Sequence, residues 1–291
     1  MKNLIGIFSI VAILSSCSPT KKIVSIENSL QQAYDSQQYS KVISSYNQLS
    51  TITKSKNLVI SSSKVLMAAK SAYHLEDYET AAKLFSSIDE ITNDKQSIYM
   101  KGMSYQKLPN PQMEYSYWKE NINKLNDTEN YQEVLQRLYA LEIEFSQYDE
   151  AYTLWDQLTA TDNEILMSAH LTVLEELGKN EEALNISNKI LKKNNENEKA
   201  LLYKGKTYFN RAEKLYQSEM TKYNRDPNFT TYAYLKRELK KVSADFRLAR
   251  DIFEKLHELS PENKMYISFL KNCYVRLEMK TEAAKMDRLL N

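Results

Sequence analysis

Few residues in this 291-residue chain are of a type that does chemistry, and they are scattered. The cysteines are Cys17 and Cys273, and the histidines are His74, His170 and His257. Cys17 has the most informative surroundings. It closes the run Leu14-Ser15-Ser16-Cys17, behind an apolar stretch from Leu4 to Leu14 and a positive charge at Lys2. A charged start, a short apolar core and small residues form the order of a secretory signal peptide. The apolar stretch is too short to span a bilayer, which takes about 20 residues. The histidines fall in separate segments, and no H-E-x-x-H, G-x-S-x-G, G-x-G-x-x-G or P-loop pattern accompanies them. They read as surface or packing residues and not as ligands or bases. Cys273, among Leu270, Tyr274 and Leu277, reads as a small buried residue. Nothing in the pattern asks for a cofactor or a metal, so the expectation is binding without catalysis.

Leu14-Ser15-Ser16-Cys17 resembles the lipobox of bacterial lipoproteins. The resemblance implies removal of residues 1–16 and acylation of the Cys17 thiol and its new amine, as in a palmitate-bearing lipoprotein. Each buried methylene contributes about 0.8 kcal/mol, so two or more chains hold a protein stably on a membrane. Residues 17–23 would then be a lipidated tether. With Cys17 lipidated no internal disulfide is possible, and packing alone must hold the fold. In some bacterial groups an acidic run beside the cysteine marks export to the cell surface, and aspartate after it is one inner-membrane retention signal. Here Ser18 follows, then Lys21 and Lys22. By resemblance, the expected location is the outer membrane, facing the periplasm.

The elements behind the anchor are legible as a repeat. Four glycines and five prolines argue against an all-β fold, and 39 basic against 38 acidic residues give no global field for nucleic acid. Ala249, Phe253 and Pro261 are spaced A-x3-F-x7-P; Ile267, Leu270 and Tyr274 follow, and Ala283 lies 34 residues after Ala249. Ile98-x2-Lys101-Gly102-x2-Tyr105 and Leu201-x2-Lys204-Gly205-x2-Tyr208 share one pattern. Turns ending on a compact residue recur as Tyr39-Ser40-Lys41-Val42, Tyr78-Glu79-Thr80-Ala81, Tyr148-Asp149-Glu150-Ala151 and Asn180-Glu181-Glu182-Ala183. This is similar to the tetratricopeptide (TPR) repeat, in which small residues sit where two antiparallel helices cross and large apolar residues fill the gaps between units. The resemblance implies an all-α, TPR-like α-solenoid over residues 24–291. About seven helical hairpins are expected, beginning near residues 23, 62, 95, 132, 164, 198 and 264. The third is degenerate: Pro109 and Pro111 interrupt its turn, and Glu114 stands where a small residue belongs.

The sixth unit, residues 196–260, departs further. Gly205 and Ala249 are 44 residues apart where the repeat needs 12. Leu235, Leu239, Val242, Phe246, Ala249, Phe253 and Leu256 make a heptad stripe on one helix from about Thr231 to Leu259. Leu201, Gly205, Tyr208, Ala212 and Leu215 make the facing stripe, and Asn224-Arg225-Asp226-Pro227-Asn228 supplies the turn. The pair predicts an elongated antiparallel hairpin projecting roughly 20 Å beyond its neighbours. Residues 211–250 hold ten Lys/Arg and five Asp/Glu. Lys222, Arg225, Lys236, Arg237, Lys240 and Lys241 would be its basic surface. Such an arm suits an acidic protein, anionic lipid headgroups or a polyanionic glycan, and it equally suits a solvated helix pair with ordinary surface lysines.

TPR proteins line a concave face with the first helix of each unit. By that resemblance the partner-facing side chains are Tyr34, Lys70, Tyr73, Tyr99, Gln136, Lys206, Phe209, Asn210, Asn272 and Arg276. Tyr105, Tyr208 and Tyr274 sit at helix crossings and belong to the core. The function implied is a non-enzymatic, lipid-anchored scaffold for protein partners in the cell envelope. Two alternatives stand beside it: an accessory lipoprotein of outer-membrane protein assembly or secretion, and a glycan-capturing lipoprotein.

Overall fold

The computed structural model of the chain describes residues 19–88, 94–159 and 161–291. The expected signal peptide (1–16) and the expected lipid site, Cys17, lie outside them. The described residues hold fourteen α-helices and no strand. They follow one another as helix–turn–helix pairs: α1 (Pro19–Asp35) with α2 (Tyr39–Lys54), α3 (Ser62–His74) with α4 (Tyr78–Ser86), α5 (Lys95–Gln106) with α6 (Pro111–Asn121), and α7 (Tyr131–Glu144) with α8 (Tyr148–Trp155). Then come α9 (Glu164–Glu176) with α10 (Asn180–Lys193), α11 (Glu198–Arg225) with α12 (Phe229–Leu259), and α13 (Lys264–Arg276) with α14 (Lys280–Leu290). The fold is all-α and TPR-like, with pairs beginning at or within four residues of the expected starts. The largest difference is at α1, which begins at Pro19, inside the expected tether.

One turn joins the two helices of five pairs. Gln37, Glu76, Ser146, Gly178 and Glu278 take left-handed φ values, from 56° at Gln37 to 67° at Gly178. In each case the next amide reaches back five residues, as in Gln38 N to Ala33 O (2.8 Å), Asp77 N to Ala72 O (2.9 Å) and Met279 N to Tyr274 O (2.9 Å). This closes the helix end by satisfying carbonyls that the helix leaves open. Only the fifth pair places glycine there, the residue that adopts this conformation without strain. The third pair turns differently: the Asn110 side chain accepts from Met113 N, and Pro111 occupies the first turn of α6, where its missing N–H costs nothing.

The chain divides into two compact units, residues up to Leu138 and residues from Tyr139. In the first, Val65, Ala68, Ala69 and Ala72 of α3 pack on Ala81, Leu84 and Phe85 of α4 and on Met100 of α5. Gly102 of α5 lies so close beneath the buried Trp118 of α6 that a Cβ there would stand 2.1 Å from the indole. In the second, Met167, Leu171 and Leu174 meet Ala183 and Ile190, then Ala200 and Tyr203 of α11. Leu201, Ala249, Phe253 and Leu256 continue the core onto Leu270, Cys273 and Tyr274 of α13. The crossing residues Val42, Ala81, Ala151, Ala183 and Ala249 are all fully buried, which is what close helix approach requires. Tyr105 and Tyr274 are buried as core, and Tyr208 packs against the same cluster as Tyr274.

Helices α11 and α12 run 28 and 31 residues, whereas the other α-helices have 8 to 17. Asn228 and Thr231 start α12 with a reciprocal capping box. The α12 stripe is buried at Leu235, Val242, Phe246, Ala249, Phe253 and Leu256. The expected α11 stripe needs one correction. Leu215 is exposed, and the buried face beyond Ala212 passes through half-buried Tyr216 to Glu219. A helix of 3.6 residues per turn drifts off a strict seven-residue repeat, and here the drift moves the seam by one position.

Candidate functional site

In the first unit the structure brings Tyr73 and Tyr99 together. Both line a groove of about 420 Å³ with Lys95, Gln96 and Met100 of α5 and Leu125, Thr128 and Asn130 beyond α6. The Tyr99 hydroxyl donates to Glu133 Oε2 at 3.1 Å. Burial, then the Glu133 charge, push the Tyr99 phenol up to about 12. Lys70, mostly buried, donates to Asp94 Oδ2 at 2.6 Å. Burial opposes the Asp94 charge, yet hydrogen bonds from Lys70 and Ser97 hold its carboxyl below the ordinary range. Asp94 also caps α5, so Lys70 fixes a helix start. Tyr34 packs on Leu30, Ala33 and Val42, and Gln136 is half-buried on α7.

In the second unit Phe209 is enclosed by Phe246 and Phe269, with ring centroids 5.7 and 5.1 Å away. Lys206 is half-buried, while Asn210 and Asn272 are exposed. Arg276 is engaged within the fold. Its Nε and Nη2 donate to the two carboxylate oxygens of Glu213 at 2.9 and 2.6 Å, and its guanidinium lies 4.2 Å from the Tyr216 ring centre. Fork-to-fork geometry of this kind fixes orientation as well as charge, and here it ties α13 to α11.

The basic residues of the elongated hairpin sort into two sets. Arg211 donates twice to Asp245, at 2.6 and 2.5 Å. Lys222 pairs with Glu219, and both Arg237 and Lys241 pair with Glu238, at 3.1 and 2.8 Å. Arg250 pairs with Asp251. Arg225 is exposed beside the turn. Lys236, Lys240 and Arg247 are exposed and meet no carboxylate among the described residues. These last three share a stripe of α12 at steps of four and seven, and all three border one groove of about 550 Å³. Its apolar lining includes Tyr216, Leu239, Val275 and Leu277, and Glu278 of the α13–α14 turn also borders it. Arg247 and the apolar lining escaped the sequence reading, which took the basic residues as one surface. The spacing 236, 240, 247 was available there as the signal of a single helix face.

His170 is nearly fully buried, stacked on Trp155 at 3.8 Å, with Nδ1 3.0 Å from the Tyr139 hydroxyl. A substrate cannot reach it. His74 stacks on Tyr39 at 4.5 Å, and His257 is half-buried on α12. Cys273 is fully buried, and burial raises its thiol to about 12, so it is held as an inert thiol. No group of three or more His, Cys, Asp or Glu able to hold a metal occurs among the described residues. No described helix is long and apolar enough to cross a membrane.

Neither a protein-family model nor a curated protein matches this chain. Similar solved structures include a protein from Bacteroides ovatus ATCC 8483, 19% identical, covering 79% of this chain and 100% of that one, with a TM-score of 0.48. Others are a tetratricopeptide repeat protein from Parabacteroides merdae ATCC 43184 (17% identical, 66% and 77% covered, TM-score 0.40) and a TPR repeats protein from Bacteroides fragilis NCTC 9343 (15% identical, 87% and 98% covered, TM-score 0.34).

Proposed function

We propose that this chain is a lipid-anchored envelope protein that holds protein partners on its helical hairpins and performs no chemistry of its own. The observation that carries the reading is the elongated α11–α12 hairpin. Of the ten cations between 211 and 250, half pair with carboxylates of the same fold. Of those that do not, Lys236, Lys240 and Arg247 line up on one groove, while Lys214 and Arg225 stand apart. An aligned set of open cations is a surface suited to something outside the fold. The anchor rests on Leu14-Ser15-Ser16-Cys17 behind a signal-peptide pattern, and the outer membrane facing the periplasm is the location that Ser18, Lys21 and Lys22 favour.

Two variants test the two halves separately. Cys17→Ser should release the protein from the membrane fraction while leaving its helicity intact; retention in membranes overturns the lipid anchor. Mild crosslinking of the anchored protein should capture discrete partners that are lost when residues 212–244 are deleted. Partners that persist through the deletion, with helicity preserved, move the working surface away from the arm.

A further inference from the structure

We infer that the groove between α12 and the α13–α14 turn takes an acidic amphipathic helix of a partner protein. This rests on the scaffold reading and names the chemistry of its partner. Lys236, Lys240 and Arg247 occupy one face of α12 and border the groove together. From 236 to 247 the stripe runs about 16 Å at 1.5 Å per residue, or three turns of a helix lying alongside. Apolar residues line the groove beside that stripe: Leu239 of α12 and Tyr216 of α11 are half-buried, Leu277 is half-buried, and Val275 is 53% exposed. Beneath them Val242 and Phe246 are closed into the core with Ala212 and give the groove a rigid floor. Arg276 adds no free charge because Glu213 already holds it in a two-point pair.

Charge complementarity and shape select the occupant. A cationic edge beside an apolar wall matches a helix with leucine-type residues on one face and carboxylates along its flank. Carboxylates at i, i+4 and i+11 would meet the three cations. A flat anionic bilayer reaches exposed lysines but cannot enter a groove walled by the α13–α14 turn. A polyanionic chain would meet Glu278 in the same groove and would leave its apolar lining uncovered. The Glu278 carboxylate also sets the polarity of the groove, since a partner's acidic flank must lie on the α12 side.

The test is fluorescence anisotropy with the full chain and synthetic helical peptides of about four turns. One carries leucines at i, i+3, i+4 and i+7 with glutamates at i, i+4 and i+11 of its flank; a second replaces those glutamates by lysines. The acidic peptide should bind at least about tenfold more tightly than the basic one, a difference of about 1.4 kcal/mol. Lys236→Glu/Lys240→Glu/Arg247→Glu should reverse that preference while circular dichroism stays unchanged. Vesicles of anionic phosphatidylglycerol should compete poorly. Equal binding of the two peptides, an unchanged preference in the triple variant, or displacement of the acidic peptide by vesicles overturns the inference. Should the triple variant lose its helicity, Leu277→Gln, which makes the apolar lining polar without adding a charge, must weaken the acidic peptide, and no change there overturns the inference as well. Crosslinked partners that depend on residues 212–244 but survive the triple variant would sink the groove and leave the scaffold reading standing.

Discussion

Glu114 and Arg137 form a two-point ion pair between α6 and α7: Arg137 Nε donates to Glu114 Oε1 at 2.7 Å, and Nη2 to Oε2 at 2.6 Å. Glu114 is 1% exposed, while the Arg137 side chain is 32% exposed. The carboxylate occupies the position that the other pairs give to Val42, Ala81, Ala151, Ala183 or Ala249. The third hairpin therefore tolerates a charge at its crossing because a helix further along supplies the counter-charge. The two partners are not equivalent. Arg137 can turn its guanidinium to water, and Glu114 cannot.

That asymmetry sets the order of stabilities. Arg137→Met leaves a buried carboxylate without its main donor and should cost about 3–5 kcal/mol. Glu114→Ala leaves a guanidinium that can rehydrate, and it installs the small residue used elsewhere, so it should cost less. The double variant Glu114→Ala/Arg137→Met should be more stable than Arg137→Met alone. Urea denaturation of the four proteins measures this, and a double variant no better than Arg137→Met would refute the compensating role of the pair.

Gly102 and Gly205 occupy the same place in the recurring pattern, yet the structure predicts different responses to alanine. At Gly102 a Cβ would lie 2.1 Å from Trp118 Cη2 and 2.2 Å from Cζ2, and the indole is fully buried. The helices must separate, and overpacking of this kind costs about 1–3 kcal/mol or more. At Gly205 the nearest atoms, on Ile252 and Phe253, are 3.1 Å away. There the helix-propensity gain of about 1 kcal/mol for alanine over glycine offsets a small displacement. Thermal unfolding should show Gly102→Ala clearly destabilised and Gly205→Ala near the parent. Trp118→Leu should suppress the Gly102→Ala defect; a failure to do so would mean that the indole is not the obstacle.

The periodic parts of this fold were legible because they are local. Small residues at crossings and aromatic residues four positions on mark the hairpins, and the seven expected starts agree with α1 to α13 to within a few residues. The elongated hairpin was legible from the 4–3 stepping on α12. What the sequence hid is relational. The counter-charge for Glu114 stands 23 positions later. Arg276 looked available for a partner, but Glu213, 63 positions earlier, occupies it. Phe209 sits on a helix face shared between two neighbours, and no local spacing tells that Phe246 and Phe269 close over it. The turns hid for another reason: Gln37, Glu76, Ser146 and Glu278 adopt a conformation associated with glycine, so composition gave no sign of it.

His170 gives the fold a dependence on pH with a definite sign. The imidazole is buried between Trp155 and Tyr152, with Tyr139 at its Nδ1. Burial pushes it from 6.5 down to about 4, and Glu182 and Asp156 oppose that shift only in part. A depressed histidine is neutral in the fold and takes up its proton on unfolding. The unfolded chain therefore binds more protons between pH 6.5 and 4, and stability falls as pH falls through that window. The contribution is whole above pH 6.5 and is lost by about pH 4, a change of roughly 3 kcal/mol at 1.36 kcal/mol per pH unit. His170→Phe keeps an aromatic ring on Trp155 and removes the titration. Every other group titrates in both proteins, so the difference between them isolates His170. Urea unfolding at pH 7 and pH 4.5 should show the parent losing more stability than His170→Phe, and equal losses would mean that His170 is protonated inside the fold.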